Sequence, residues 1–110
     1  MKRPIALLAL CLAAFANAAD DDAGSAAIGA LGQINGVALA CQQPAIASRA
    51  RYAVQITAPK TRASGEIFEQ ATSAAFLEQG KGLDCPNAAA LVERLETAER
   101  QLQKIYPATR

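Results

Sequence analysis

The side chains best suited to chemistry in this sequence are the thiols of Cys41 and Cys85. A third cysteine, Cys11, lies in an N-terminal segment that we expect to be removed. An even pair in an exported chain predicts a disulfide, because compartments beyond the inner membrane are oxidising. A disulfide closing so long a loop would stabilise a small fold by roughly 4 kcal/mol on the chain-entropy model.

Other reactive groups are scarce, since the chain contains no histidine. Histidine is the commonest general base and metal ligand, and an oxidised cysteine pair offers neither a nucleophile nor zinc ligands. Glu66, Glu69 and Glu78 could form a carboxylate pair for hydrolysis, but carboxylates near a helix N-terminus are also favoured by the helix dipole. We therefore predict no catalytic residue, metal or cofactor.

The first residues predict export. Lys2 and Arg3 form a basic start, residues 5–15 form an apolar run, and residues 16–18 read Ala-Asn-Ala, a small-x-small cleavage site. We expect a signal peptide over residues 1–18 and a periplasmic location in a Gram-negative host. The apolar run is shorter than the roughly 20 residues of a permanent membrane span, so we expect no integral membrane segment after cleavage.

Cys11 raises the question of a lipid anchor. The bacterial lipoprotein pattern requires a small residue just before the modified cysteine, and Leu10 is large. We therefore expect Cys11 to be one more apolar residue of the leader and not a lipidation site.

Removal of the leader changes the charge of the chain. Lys2 and Arg3 are lost, so the basic residues fall from 11 to 9 against 10 acidic residues, and the net charge becomes −1. A domain that is not basic is not expected to bind nucleic acid. Residues 19–24, with three consecutive aspartates, are expected to be a disordered acidic lead-in, and residues 25–110 a single domain.

Apolar residues recur at spacings of three and four through most of that domain, which predicts helices. We place them at residues 25–41, 45–57, 64–79 and 86–106, with Ser64 as the N-cap of the third and Pro86 in the first turn of the fourth. Phe68 and Phe76 are expected to be bulky core residues. The predicted fold is a small all-α four-helix bundle stapled by the Cys41–Cys85 disulfide.

A row of glycines stands out in the first helix of the domain. Gly29, Gly32 and Gly36 share one face, although each costs about 0.8–1 kcal/mol relative to alanine in a helix. Another helix of the same domain could approach closely there, or the row could be a groove for a partner helix or an apolar ligand. As a third alternative, the Asn35-Gly36 pair is a turn signal that would break the helix.

Charge is distributed unevenly along the domain. Residues 43–65 contain four basic residues and no acidic one, whereas residues 66–99 contain seven acidic and two basic residues. This polarity could reflect pairing between neighbouring helices, or a basic patch that meets an acidic partner or a membrane surface. The candidate partner-binding residues are Arg49, Arg51, Tyr52, Lys60 and Arg62.

The leading functional hypothesis is therefore non-covalent protein binding, as an accessory or adaptor subunit or an immunity-type inhibitor, with another periplasmic or envelope protein as partner. In size, leader and cysteine spacing the chain resembles the small periplasmic acid-stress chaperones of enteric bacteria, with which it shares no motif. A chaperone whose apolar faces open when carboxylates protonate is the first alternative. A carrier of an apolar small ligand, built on the glycine row, is the second. The oligomeric state is left open.

Overall fold

The computed structural model describes the backbone of residues 5–108 and the side chains of residues 22–108. Within this range the chain forms four helices and no strand: α1 (Ile5–Ala40), α2 (Pro44–Thr57), α3 (Arg62–Gln79) and α4 (Ala88–Ile105). Cys41 and Cys85 are joined, with their sulfurs 2.03 Å apart and their Cα atoms 5.9 Å apart. The predicted all-α fold with one disulfide is confirmed.

The centre of the molecule is α1. It packs against each of the other three helices, and α2 also packs against α4. The largest fully buried side chains come from α1 and α4 and are Ile28, Leu31, Leu91, Leu95 and Leu102. On α2 the buried positions are Ile46, Ala47, Ala50 and Ala53, whose small volume lets that helix lie close to its neighbours.

The third helix, α3, is peripheral, because its only extensive contact is with α1. Ser64 is its one buried residue. The expectation that both phenylalanines belong to the core is wrong for Phe76, which is 45% exposed, whereas Phe68 is half-buried and packs against the core. The periodicity of α3 marks the face that meets α1, but a helix with a single neighbour buries only a narrow strip of its surface.

The starts of α3 and α4 differ from the sequence prediction. The N-cap of α3 is Thr61, whose hydroxyl accepts a hydrogen bond from the backbone N–H of Ser64 at 3.2 Å. The N-cap of α4 is Asn87, whose side-chain oxygen accepts from the N–H of Ala90 at 2.8 Å. Each stretch offers an additional capping residue next to the predicted start, and caps are decided by which side chain reaches the free N–H groups.

Residues 19–24, expected to be a disordered lead-in, lie in backbone that is helical and continuous with the rest of α1. Gly24 is buried, and the hydroxyl of Tyr106 occupies the space that a Cβ would need there. The end of α4 therefore packs against α1 at Gly24, one residue before the predicted start of that helix. Cys11 and the predicted cleavage site at residues 16–18 lie where no side chains are described.

One stretch of α1, Asp22–Ala40, is long and apolar enough by length and composition to cross a membrane. Its mean hydropathy is 1.2, and 56% of it is buried inside the protein. The central helix of a bundle meets the same criteria, so this finding is weak evidence for a membrane span. The N-terminal apolar helix is likewise compatible with a signal sequence.

Candidate functional site

Residues capable of catalysis or metal binding are not brought together in the part of the chain that the structure describes. Within residues 22–108 no group of three or more cysteine or carboxylate side chains could hold a metal ion. Glu66 and Glu69 line one shallow depression at the start of α3, whereas Glu78 pairs with Lys81 at its other end, at 3.4 Å. The three carboxylates therefore do not converge on one cleft.

The five candidate partner-binding residues do not form one free basic surface. Arg49 is held by α4: its Nε donates to Oε2 of Glu99 at 3.0 Å and its Nη2 to Oε1 of Glu99 at 2.7 Å. Glu96 lies farther from the same Nη2, at 3.8 Å. The hydrogen bonds to Glu99 raise the pKa of Arg49. Part of the charge polarity is thus explained by contact between two helices.

The remaining four candidates are exposed. Arg51 donates to the side-chain oxygen of Asn35 at 3.4 Å, and Lys60 donates to the carbonyl oxygen of Gln55. Tyr52 is 61% exposed and makes no described hydrogen bond, and Arg62 lies beside Glu66 and Glu69 at the start of α3. Tyr52 is therefore the candidate residue most available for contact with a partner.

Ile56 is a surface residue of α2 that the sequence analysis did not single out. It is 58% exposed and lies one helical turn beyond Tyr52, so the two side chains are neighbours on the outer face of α2. An amphipathic pattern with two apolar residues on the polar side was the signal available in the sequence. We call Tyr52, Ile56 and the following cation Lys60 the α2 patch.

The candidate groove at Gly29, Gly32 and Gly36 is occupied by α3. A Cβ added at Gly32 would lie 2.6 Å from the carbonyl oxygen of Phe68 and 2.8 Å from the Cβ of Ala71. At Gly36 it would overlap the carbonyl oxygen of Thr72, while Gly29 faces Ile67 more loosely, at 4.0 Å. The helix does not break at Asn35-Gly36, and the row is where two helix backbones approach closely.

A buried polar link crosses the same interface. The side-chain nitrogen of Asn35, a residue only 3% exposed, donates to the hydroxyl of Thr72 at 3.1 Å. The Thr72 hydroxyl in turn faces the carbonyl oxygens of Phe68, at 2.8 Å, and Gly32, at 3.1 Å. Polar groups inside an interface must be paired, so these bonds fix the register of α3 on α1. The sequence signal was an asparagine between two glycines of the row.

A second concave surface runs between α1 and α4. The groove has a volume of about 840 Å³, and its α1 wall consists mainly of alanines. Its α4 wall carries both charged and small residues. The lining includes Ala23, Ala26, Ala27, Ala30, Gln33, Ile34, Ala90, Glu93, Arg94, Thr97, Ala98, Gln101, Lys104 and Ile105.

These features define the class of the protein as a compact all-α four-helix protein with one disulfide and two candidate binding surfaces, the α2 patch and the α1/α4 groove. No protein-family model matches the chain, and the comparisons with curated proteins and with solved structures find no match. Function must therefore be argued from the residues themselves.

Proposed function

We propose that this protein acts by non-covalent binding of another protein, as an accessory or adaptor subunit or as an immunity-type inhibitor. The observation that carries the proposal is the exposure of Tyr52 and Ile56, side by side on the outer face of α2. Tyrosine is among the residue types enriched at the energetically dominant positions of protein interfaces, and the neighbouring Ile56 adds apolar contact area.

The position of α2 supports this role. Its inner face packs on α1 and α4, and the Arg49–Glu99 pair holds its flank to α4. The helix therefore presents Tyr52 and Ile56 from a fixed backbone, which lowers the entropy lost on binding. Lys60 adds positive charge at the end of the patch and would favour a partner with an acidic surface.

The proposed location is the periplasm. An N-terminal apolar helix is compatible with a signal sequence, and a disulfide weakly favours an oxidising compartment outside the cytoplasm. The partner would then be another periplasmic or envelope protein.

The test is an affinity pull-down from a periplasmic extract, with the oxidised protein as bait. We expect one stoichiometric partner that the variant Tyr52→Ala/Ile56→Ala no longer retains. Leu83→Ala is the matched control, because Leu83 is 56% exposed but lies outside α2. High salt should weaken capture if Lys60 and Arg62 contribute. Undiminished capture by the Tyr52/Ile56 variant would refute the α2 patch.

A periplasmic chaperone is the second candidate function. Exposed apolar side chains also occur at Leu39, Phe76, Leu77 and Leu83, and dispersed apolar surface suits weak binding of many clients. Recovery of many proteins at low occupancy, or of clients only after acidification, would favour this alternative. The carrier hypothesis loses its proposed site, because α3 fills the glycine row.

A further inference from the structure

We propose that the α1/α4 groove is an interface between two copies of this chain, each inserting its α3 into the groove of the other. This inference concerns a different surface from the α2 patch and goes beyond the proposed function. It rests on the shape of the groove, on the helix that lies beside it and on the charges that the two carry.

The groove exists because α3 and α4 lie against different faces of α1 with no extensive contact between them. The face of α1 left between them carries Ala23, Ala26 and Ala30, which line the groove together with α4. The α1 residues of the groove span 12 positions, or about 17 Å of helix. A trough of that length fits three turns of a helix, and small alanine side chains leave room for larger ones from outside.

Helix α3 lies directly beside this groove. Ala26 and Gln33 line the groove, and Gly29, which faces α3, lies three and four positions from them on the surface of α1. The ridge formed by α3 and the α1/α4 groove are thus neighbours on one side of the molecule. A two-fold axis can then place the ridge of each copy in the groove of the other, which is the arrangement of an isologous dimer.

The apolar content of α3 suits this role. Leu77 is 67% exposed. It belongs to the helix that would enter the groove. Its burial against the alanines of a second copy would remove apolar surface from water, the main favourable contribution to association.

Charge complementarity selects α3 as the occupant. Arg94 and Lys104 both line the groove, about 15 Å apart along α4, and neither forms an ion pair with any residue from 22 to 108. Glu93 is the groove's one acidic residue. On α3, Glu66 and Glu69 outnumber the single cation Arg62, while Glu78 is paired with Lys81. The α2 patch, by contrast, ends in Lys60 and would meet the groove with charge of the same sign.

The test is sedimentation equilibrium of the full chain, expressed with its own N-terminal segment and purified in oxidised form. We expect the wild type to be dimeric. The groove variant Arg94→Glu/Lys104→Glu and the ridge variant Glu66→Lys/Glu69→Lys should each raise the dimer dissociation constant at least about tenfold, because each sets like charges against each other. An equimolar mixture of the two variants should restore the dimer, since acidic grooves then meet basic ridges.

Ser48→Glu/Gln55→Glu is the control: it adds negative charge at exposed positions of α2, away from both the groove and α3, and should remain dimeric. Circular dichroism checks that every variant is folded. A monomeric wild type at the highest soluble concentration, variants that stay dimeric, or a mixture that does not reassociate would overturn the proposal. None of these results bears on capture through Tyr52, so the two proposals can fail separately.

Discussion

Arg49 of α2 and Glu99 of α4 form a two-point ion pair, with N–O distances of 3.0 and 2.7 Å, between helices that are far apart in the sequence. The side chain of Arg49 is 45% exposed and that of Glu99 is 18% exposed. Arg49, the first of the candidate partner-binding residues, is therefore engaged in a contact between two helices of the fold.

We expect the coupling energy of this pair, measured by a double-mutant cycle with Arg49→Ala and Glu99→Ala, to be about 0.2–1 kcal/mol, because solvent screens a pair this exposed. Chemical denaturation at low and high salt measures it, and salt should reduce it. The more exposed Lys81–Glu78 pair is the control and should couple less. Because the pKa of Arg49 is raised, its contribution persists below the ordinary arginine pKa and is lost only as pH rises through the higher folded value.

Gly32→Ala should destabilise the protein although alanine is the better helix former. The new Cβ would lie 2.6 Å from a backbone oxygen of α3, so α3 must move away, at a net cost of about 1–3 kcal/mol. Gly65→Ala is the matched control: Gly65 is also helical, and nothing lies within 4 Å of its Cβ position. That change should stabilise by about 0.5–1 kcal/mol. Thermal denaturation of both variants distinguishes the effect of packing from that of helix propensity. Equal shifts in melting temperature would contradict the close approach of α3 to α1.

Thr72→Val should cost about 1–3 kcal/mol despite the similar shape of the two side chains. It removes the acceptor of the Asn35 amide at a site only 3% exposed, so a buried donor loses its partner. Thr57→Val at the end of α2 is the control, since Thr57 lies outside the groove and its hydroxyl makes no described hydrogen bond. Urea denaturation measures the free energy of unfolding of both variants. A Thr72 variant as stable as the Thr57 variant would mean that the link contributes nothing.

Reduction of the disulfide should lower the free energy of unfolding by about 2–5 kcal/mol and should loosen α3 before the rest of the bundle. Cys85 lies in the segment after α3 and Cys41 just after α1, so the bond keeps the end of α3 near the helix it packs on. Hydrogen exchange with and without reductant should show α3 amides losing protection first, because α3 has one neighbour and one buried residue. Simultaneous loss in α3 and α4 would argue against a separately opening helix.

Much of the fold was predictable because its signals are local. The three-and-four spacing of Leu91, Leu95 and Leu102 identifies α4 and its buried face, and all three are fully buried. Pro44 lies at the start of α2, where its missing N–H costs no hydrogen bond. The cysteine pair was also predictable, since only two thiols remain once Cys11, in the expected leader, is set aside.

The sequence by itself determined the number of helices, their inner faces and the disulfide. The helices and their faces depend on residues near one another in the chain, and the domain contains a single pair of cysteines, which can be joined in only one way. Only the tertiary structure decided that Arg49 pairs with Glu99, that α3 covers Gly32 and Gly36, and that a groove opens between α1 and α4. These features depend on which helices are neighbours in space. Helices with similar apolar stripes can pack in several orders, and the order is chosen by backbone approach and side-chain fit that no local pattern records.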